Sequence, residues 1–310
     1  MGPHDSSSQT FGSSNMSQSR VVFRGVFLPY LLLLPQISVT IIFFLWPSYQ
    51  ALEQSFYLED AFGFAREFVA FDNYAALFRD EGYLRSFSTT IYFGFSVTFL
   101  SMSTALLLAV CANRAVRMVT GYRTLVIWPY AVAPAIAGVI WFFLMNPSLG
   151  IVAYWLKAMG VDWNHYMNGD QAFAMVVIAA SWKQISYNFL FFLAGLQSIP
   201  KSLLEAAALD GAGPMRRFWS ISFPLLSPTT FFLLVVNLVY AFFDTFSVID
   251  ATTSGGPVDA TSILVYRVYN TGFIGQDYGG SAAQSVILMG LVIVMTAIQF
   301  RYVEKKVVYS

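Results

Sequence analysis

The chain has 310 residues, 57% hydrophobic and only 11% charged, with a formal net charge of zero. Soluble domains carry roughly 25% charged residues, so this balance points to a protein that crosses a membrane several times. Neutrality argues against a nucleic-acid-binding surface, and the single cysteine, Cys111, rules out a disulfide framework within the chain.

Residues 1–19 are Ser-rich and nearly uncharged, and read as a disordered tail or a non-native leader; residues 20–310 form one membrane domain. Arg20 and Arg24 precede an apolar run at 26–46 that lacks a small-residue cleavage site, which predicts a signal anchor and first span. Pro29, Pro35 and Pro47 are expected to bend or end it. A polar segment, 49–86, leads to a second span at 87–112, where Cys111 is expected to be a small buried hydrophobe. The third span, 122–145, carries Pro129 and Pro134 and should kink or unwind between them. A mixed loop, 146–171, holds His165 beside Trp163 and Tyr166, an interfacial or hydrogen-bonded setting. The fourth span is 172–197, the fifth 225–246, and the sixth 282–300 after a Gly/Ser/Thr-rich loop at 247–281.

Six spans place both termini on one side. Eleven Lys and Arg then fall on that side, including Arg114, Arg123, Arg216, Arg217 and Arg301, against five on the other, with Lys183 inside a span. That bias makes the terminus side cytoplasmic.

Between the fourth and fifth spans lies 198–224, the one long polar-rich helical segment. Ser198 and Pro200 suit a helix start, Leu203–Leu209 is rich in Leu and Ala, and Gly211 supplies a left-handed stop. Gly213 and Pro214 restart a short helix that Pro224 is expected to end. The result is a helix–turn–helix with Glu205 beside Ala206, Ala207 and Ala208, a small-residue face that another surface can approach closely.

Polar groups inside spans are costly, roughly 2.5–3.5 kcal/mol for a charge at a helix centre, and usually face a bundle interior or a water-filled path. Ser181, Gln184 and Asn188 fall at i, i+3, i+7 on the fourth span, with Lys183 and Tyr187 on an adjoining face. Asn237, Tyr240 and Asp244 repeat the spacing on the fifth. Two readings stand for the amides: a shared aqueous pathway, or hydrogen bonds that hold the bundle together. For Lys183 the pathway reading is favoured. A Lys183–Asp244 pair needs tilt or unwinding to close an axial offset on the order of 10 Å. No nucleotide-binding loop, metal-spaced cluster or nucleophile motif is visible.

The run Glu205-Ala206-Ala207, with Asp210-Gly211 following and Ile221 and Pro224 downstream, resembles the EAA loop of the membrane subunits of bacterial binding-protein-dependent ABC importers. Phe223 departs from the usual Leu. Ser254-Gly255-Gly256-Pro257, with Thr261, Tyr266 and Tyr269 beyond it, is similar to the TxGGP loop of the carbohydrate branch. The stretches WPYAVAPAIAGVIWFF, SWKQISYNFLFF and NLVYAFFDTFSVIDATTSGGP extend the likeness to the sn-glycerol-3-phosphate group of that branch. The resemblance implies an all-α inner-membrane permease with six transmembrane helices and cytoplasmic termini. It implies a second permease subunit, an ATPase homodimer that binds ATP and Mg, and a periplasmic binding protein as partners. It further implies alternating access, ATPase coupling through Glu205–Gly211, a binding-protein-facing loop at 254–257, and a phosphate ester contacting Lys183. Two alternatives stay open: a neutral sugar as substrate, or an ATP-independent channel or secondary transporter.

Overall fold

The computed structural model describes residues 27–59, 66–114 and 119–303. The N-terminal tail, Arg20, Arg24, Arg117, Lys305 and Lys306 lie outside the described residues, so the expectations for them stand untested.

Among the described residues five helices are long and apolar enough to cross a membrane, or six if one bent pair is counted as a single span. Span 1 is Tyr30–Gln54, span 2 Glu81–Asn113, span 4 Gly169–Ser198, span 5 Ser227–Asp244 and span 6 Tyr278–Arg301. Span 3 is the pair Gly121–Ala131 and Pro134–Leu144, bent by 106°. The expected kink is therefore a near-right-angle break. The helix tightens to a 3-10 turn at Trp128–Ala131, Val132 is extended, and Pro134 opens the second half. A carbonyl freed by that tightening, Val126 O, accepts the Ser186 hydroxyl at 2.7 Å.

Of the described residues, those up to Tyr49 form one compact unit and those from Gln50 onward another. In the first unit the helix does not stop at Pro47. A π turn at Ile41–Leu45 precedes it, and Trp46 donates its N–H to Ile41 O, five residues back. Pro224 behaves the same way after the π turn Phe218–Ser222, where Phe223 N–H reaches Phe218 O. In a regular helix a proline ring collides with the carbonyl four residues back and leaves it without a donor. The wider π turn moves that carbonyl aside, so both prolines sit inside helical runs that sequence spacing alone would end there.

In the second unit, spans 2, 4 and 5 pack around a core of Phe93, Val97, Ala180, Tyr240, Ala241 and Phe242. A second cluster, with Ala105, Ala109, Phe189, Phe192 and Leu233, continues it along the bundle. Close approach depends on two glycines. A Cβ at Gly94 would lie 2.7 Å from the Phe242 ring. One at Gly138, in the second half of span 3, would lie 3.0 Å from Val248 O and 3.1 Å from Ala251 Cβ.

The two long polar segments are more ordered than their composition suggests. Tyr57–Glu59 and Arg66–Phe68 pair as an antiparallel hairpin, a small departure from the expected all-α class. Arg66 fixes it, stacked 3.8 Å over Tyr57 and paired with Glu59 at 3.1 Å. After span 5 the chain re-enters the bundle as helices Phe246–Thr252 and Leu264–Tyr269. Leu264 N–H donates to Thr90 Oγ1 of span 2 at 2.8 Å, and Arg267 pairs with Asp80. Cys111, expected to be buried, is exposed.

Gly138→Val places two methyl groups against Val248 O and Ala251. Overpacking of this kind costs about 1–3 kcal/mol. A thermal-unfolding scan of the purified protein should show a clearly lower midpoint than for Gly138→Ala, which adds only the one tight carbon.

Candidate functional site

Two polar systems occupy the bundle, and sequence spacing alone does not separate them. The first is a buried amide node. Asn188 of span 4 donates to Asn237 Oδ1 at 3.0 Å, and Asn237 of span 5 donates back to Asn188 Oδ1 at 2.7 Å. Ser101 of span 2 donates to the same Asn237 oxygen at 2.8 Å, and Asn237 Nδ2 also reaches Leu233 O. All three residues are fully buried. Every strong donor and acceptor of Asn237 is used, so this residue ties three helices together and has nothing left for a solute.

The second is a cavity of about 680 Å³ between spans 3, 4 and 5. Lys183, Gln184 and Tyr187 line it from span 4, and Val236, Tyr240 and Asp244 from span 5. Tyr130 and Pro134 enter it from the break in span 3. That break explains its existence, because a continuous helix would fill the space. Tyr130 and Tyr187 pack ring to ring at 5.9 Å, and Tyr187 continues onto Phe191 at 4.8 Å. Tyr240 anchors its hydroxyl on Ala180 O at 3.2 Å.

Five of the seven predicted pathway residues therefore meet in one cavity: Lys183, Gln184, Tyr187, Tyr240 and Asp244. Asn188 and Asn237 do not reach it, which corrects the pathway reading in favour of interhelical bonding. The physical reason on span 5 is a π turn at Tyr240–Asp244. The i, i+3, i+7 spacing of Asn237, Tyr240 and Asp244 assumes 3.6 residues per turn. A π turn rotates Asp244 away from the Asn237 face and into the cavity. Lys183 and Asp244 share the cavity, yet among the described residues no ion pair within 4 Å joins them. Ser101, Tyr130 and Phe246 are functional neighbours that spacing did not flag. Ser101 is one hydroxyl among several in span 2, and Tyr130 reaches the cavity only because of the 106° break.

The segment after span 4 is an exposed helical hairpin. Ser198 does not cap it; its hydroxyl turns back onto Gly195 O at 2.8 Å, and Pro200 occupies the cap position of Lys201–Leu209. The helix ends in a Schellman turn: Gly211 N–H meets Ala208 O at 3.1 Å, and Ala212 N–H meets Ala207 O at 2.9 Å. Gly211 takes φ +78°, the left-handed conformation this turn requires. Glu205, Ala206 and Asp210 are exposed, Ala207 is partly covered, and Leu209 is 91% exposed. Arg217 Nη1 donates to Leu204 O at 3.3 Å, joining the two legs.

At the opposite side lies the Ser254-Gly255-Gly256-Pro257 loop. Gly255 has φ +82°, and a Cβ there would lie 2.8 Å from the Tyr266 ring. Thr261 closes the loop: its N–H donates to Gly255 O at 3.1 Å, its hydroxyl bonds Gly256 O at 3.0 Å, and it meets Thr253 Oγ1 at 2.6 Å. His165, expected to be interfacial or hydrogen-bonded, is instead 2% exposed and without a hydrogen bond at either ring nitrogen. Burial pushes its imidazole below the ordinary histidine range. The Met145 carbonyl, which also accepts the Trp163 indole N–H at 2.8 Å, pulls the other way.

A broken-span bundle with a polar cavity and an exposed hairpin between its fourth and fifth spans defines a membrane translocation subunit. Residues 74–309 match the model of the binding-protein-dependent transport system inner membrane component, and the chain belongs to that family. Among its relatives are the sn-glycerol-3-phosphate transport system permease proteins UgpA of Brucella abortus biovar 1 (strain 9-941) and of Rhizobium meliloti (strain 1021). They are 58% and 59% identical over 291 residues, covering 94% of this chain and 99% of each relative. The UgpA of Escherichia coli O157:H7 is 58% identical over 295 residues, 95% of this chain and all of the relative. The fold is similar to the crystal structure of a bacterial ABC transporter involved in the import of the acidic polysaccharide alginate. That likeness has a TM-score of 0.78 at 22% identity and covers 90% of this chain and 96% of the other.

Removing one side of the amide node leaves buried partners unsatisfied, which costs about 1–3 kcal/mol per group. Asn237→Leu should therefore lower thermal stability more than the double variant Asn188→Leu/Asn237→Leu, in which both amides are gone. A double-mutant cycle by thermal unfolding measures the coupling.

Proposed function

We propose that this chain is a transmembrane subunit of an ATP-driven importer that carries sn-glycerol-3-phosphate, or related glycerophosphodiesters, by alternating access. The observation that carries the reading is the 680 Å³ cavity in which Lys183, Gln184, Tyr187 and Asp244 converge inside the bundle. A phosphate ester needs a cation in a low-dielectric path, and Lys183 supplies it as a mobile point charge. Asp244 repels the phosphate and accepts hydrogen bonds from glycerol hydroxyls, so the two charges orient the solute along the cavity. The aromatic wall of Tyr130, Tyr187 and Tyr240 contributes apolar contact and hydroxyl groups. The identity to UgpA proteins across nearly the whole chain supports the same substrate class.

In this reading the working assembly contains a second permease subunit, an ATPase homodimer and a periplasmic binding protein. ATP and Mg belong to the ATPases. The exposed Lys201–Leu209 helix is the coupling element, lying in the cytoplasm with both termini. Its Schellman stop and the Arg217–Leu204 tie make it stiff enough to pass the ATPase motion to spans 4 and 5. Glu205, Ala206, Ala207, Asp210 and Gly211 form the docking face. The loop at Ser254–Pro257 faces the binding protein.

The test is uptake of labelled sn-glycerol-3-phosphate by membrane vesicles containing the complete assembly. ATP-dependent uptake should be competed by unlabelled glycerophosphodiester and not by maltose. Lys183→Met removes a charge-assisted hydrogen bond of about 1.5–3 kcal/mol, so apparent affinity should fall about tenfold or more. Gly211→Asp should leave the assembly intact and uncouple ATP hydrolysis from uptake. Competition by maltose alone, or an unchanged affinity in Lys183→Met, would count against the phosphate reading.

A further inference from the structure

A second cavity, of about 310 Å³, opens beside the Ser254–Pro257 loop. Buried His165 and half-buried Phe142 line its inner part, and the exposed Tyr166 and Ser254, with Thr253 and Pro257, line the rest. Three aromatic rings hold the imidazole: Tyr166 at 4.2 Å, Phe142 at 5.8 Å and Trp163 at 6.3 Å. This immobilises a polar ring that is 2% exposed, and neither of its nitrogens makes a hydrogen bond of normal geometry, although the Met145 carbonyl lies near one of them. A buried polar group without a partner costs free energy, and such groups in folded proteins call for an explanation.

We propose that this cavity is a socket for a neutral amide side chain of the periplasmic binding protein, with the His165 imidazole as its hydrogen-bonding floor. The inference rests on the importer reading and deepens it by assigning the contact. The chemistry of the walls selects the occupant. No Asp, Glu, Lys or Arg lines the cavity, so a carboxylate or ammonium group would enter without a counter-charge. Burial favours the neutral imidazole of His165, in which one nitrogen donates and the other accepts. An Asn or Gln side chain matches both needs: its carbonyl accepts the imidazole N–H, and its NH2 donates to a rim hydroxyl. Ser254 suits the latter role. Its own proton goes to Asp250 O at 3.1 Å, which leaves its lone pairs free to accept, and it stands exposed at the mouth. The rim is also preset. Thr261 locks the turn from within, and Ser254, Val258 and Asp259 hold positive φ angles of 48°, 49° and 59°. A rim fixed in this way loses little entropy when a partner binds.

The experiment uses the complete importer in lipid nanodiscs, titrated with its sn-glycerol-3-phosphate-loaded binding protein while ATP hydrolysis is followed. His165→Phe should raise the binding-protein concentration for half-maximal stimulation about tenfold, whereas His165→Gln, which keeps a hydrogen-bonding head, should stay within about threefold. Gel filtration checks that each variant assembles. If His165→Phe does not assemble, Ser254→Trp, which blocks the mouth and leaves the ring in place, carries the same expectation. Equal half-saturation in the parent and in these variants overturns the socket and leaves a cavity filled by water only. A parent complex that the binding protein does not stimulate refutes the importer reading, and the socket with it. Stimulation with unchanged half-saturation refutes the socket alone.

Discussion

The reciprocal pair between Asn188 and Asn237 is the interaction on which the bundle depends. Two primary amides, with Ser101 as a third member, satisfy one another in a fully buried setting. In an apolar interior such a node fixes the register of three helices more sharply than aliphatic packing does, because a one-residue slip strands every member. The register it sets aims Lys183 and Tyr187 on span 4, and Tyr240 on span 5, at a common space. The cavity is thus a consequence of the node, although the two share no residue.

A second constraint comes from helix irregularities. The break in span 3 opens the cavity, and the π turn at Tyr240–Asp244 turns a carboxylate into it. Two further π turns carry the chain past Pro47 and Pro224. Each irregularity has a local cause in the carbonyl that a proline displaces or in the widened turn itself. The π turns, unlike the break in span 3, let helices that look interrupted in sequence remain continuous in space.

Much of this was legible in the residues. The spans announce themselves by length and apolarity, the Gly211 stop by its chemistry, and the cost of Lys183 within a span by its charge. The family follows from the Glu205–Gly211 run and the Gly255-Gly256-Pro257 turn. What stayed hidden has one physical source: helical periodicity assumes a regular helix. Asn237 and Asp244 share a face on a wheel of 3.6 residues per turn and part company across a π turn. Ser101 gives no sign of its role, because its partner is 136 positions away. The order in 247–281 was equally masked, since its Gly, Ser and Thr residues make tertiary hydrogen bonds that composition cannot foretell. His165 was misjudged for the same reason: the aromatic rings that bury it come partly from another segment.

The central claim is that a solvated cavity and a dry structural node lie on successive turns of the same helices. Thiol accessibility tests it directly. In a Cys111→Ser background, needed because Cys111 is exposed, Lys183→Cys and Ser101→Cys would each be treated with a charged thiol reagent in the assembled membrane protein. The account predicts rapid labelling at position 183, slowed by substrate, and none at position 101 until the protein is unfolded. Equal labelling at both positions, or labelling at 101 alone, would contradict it.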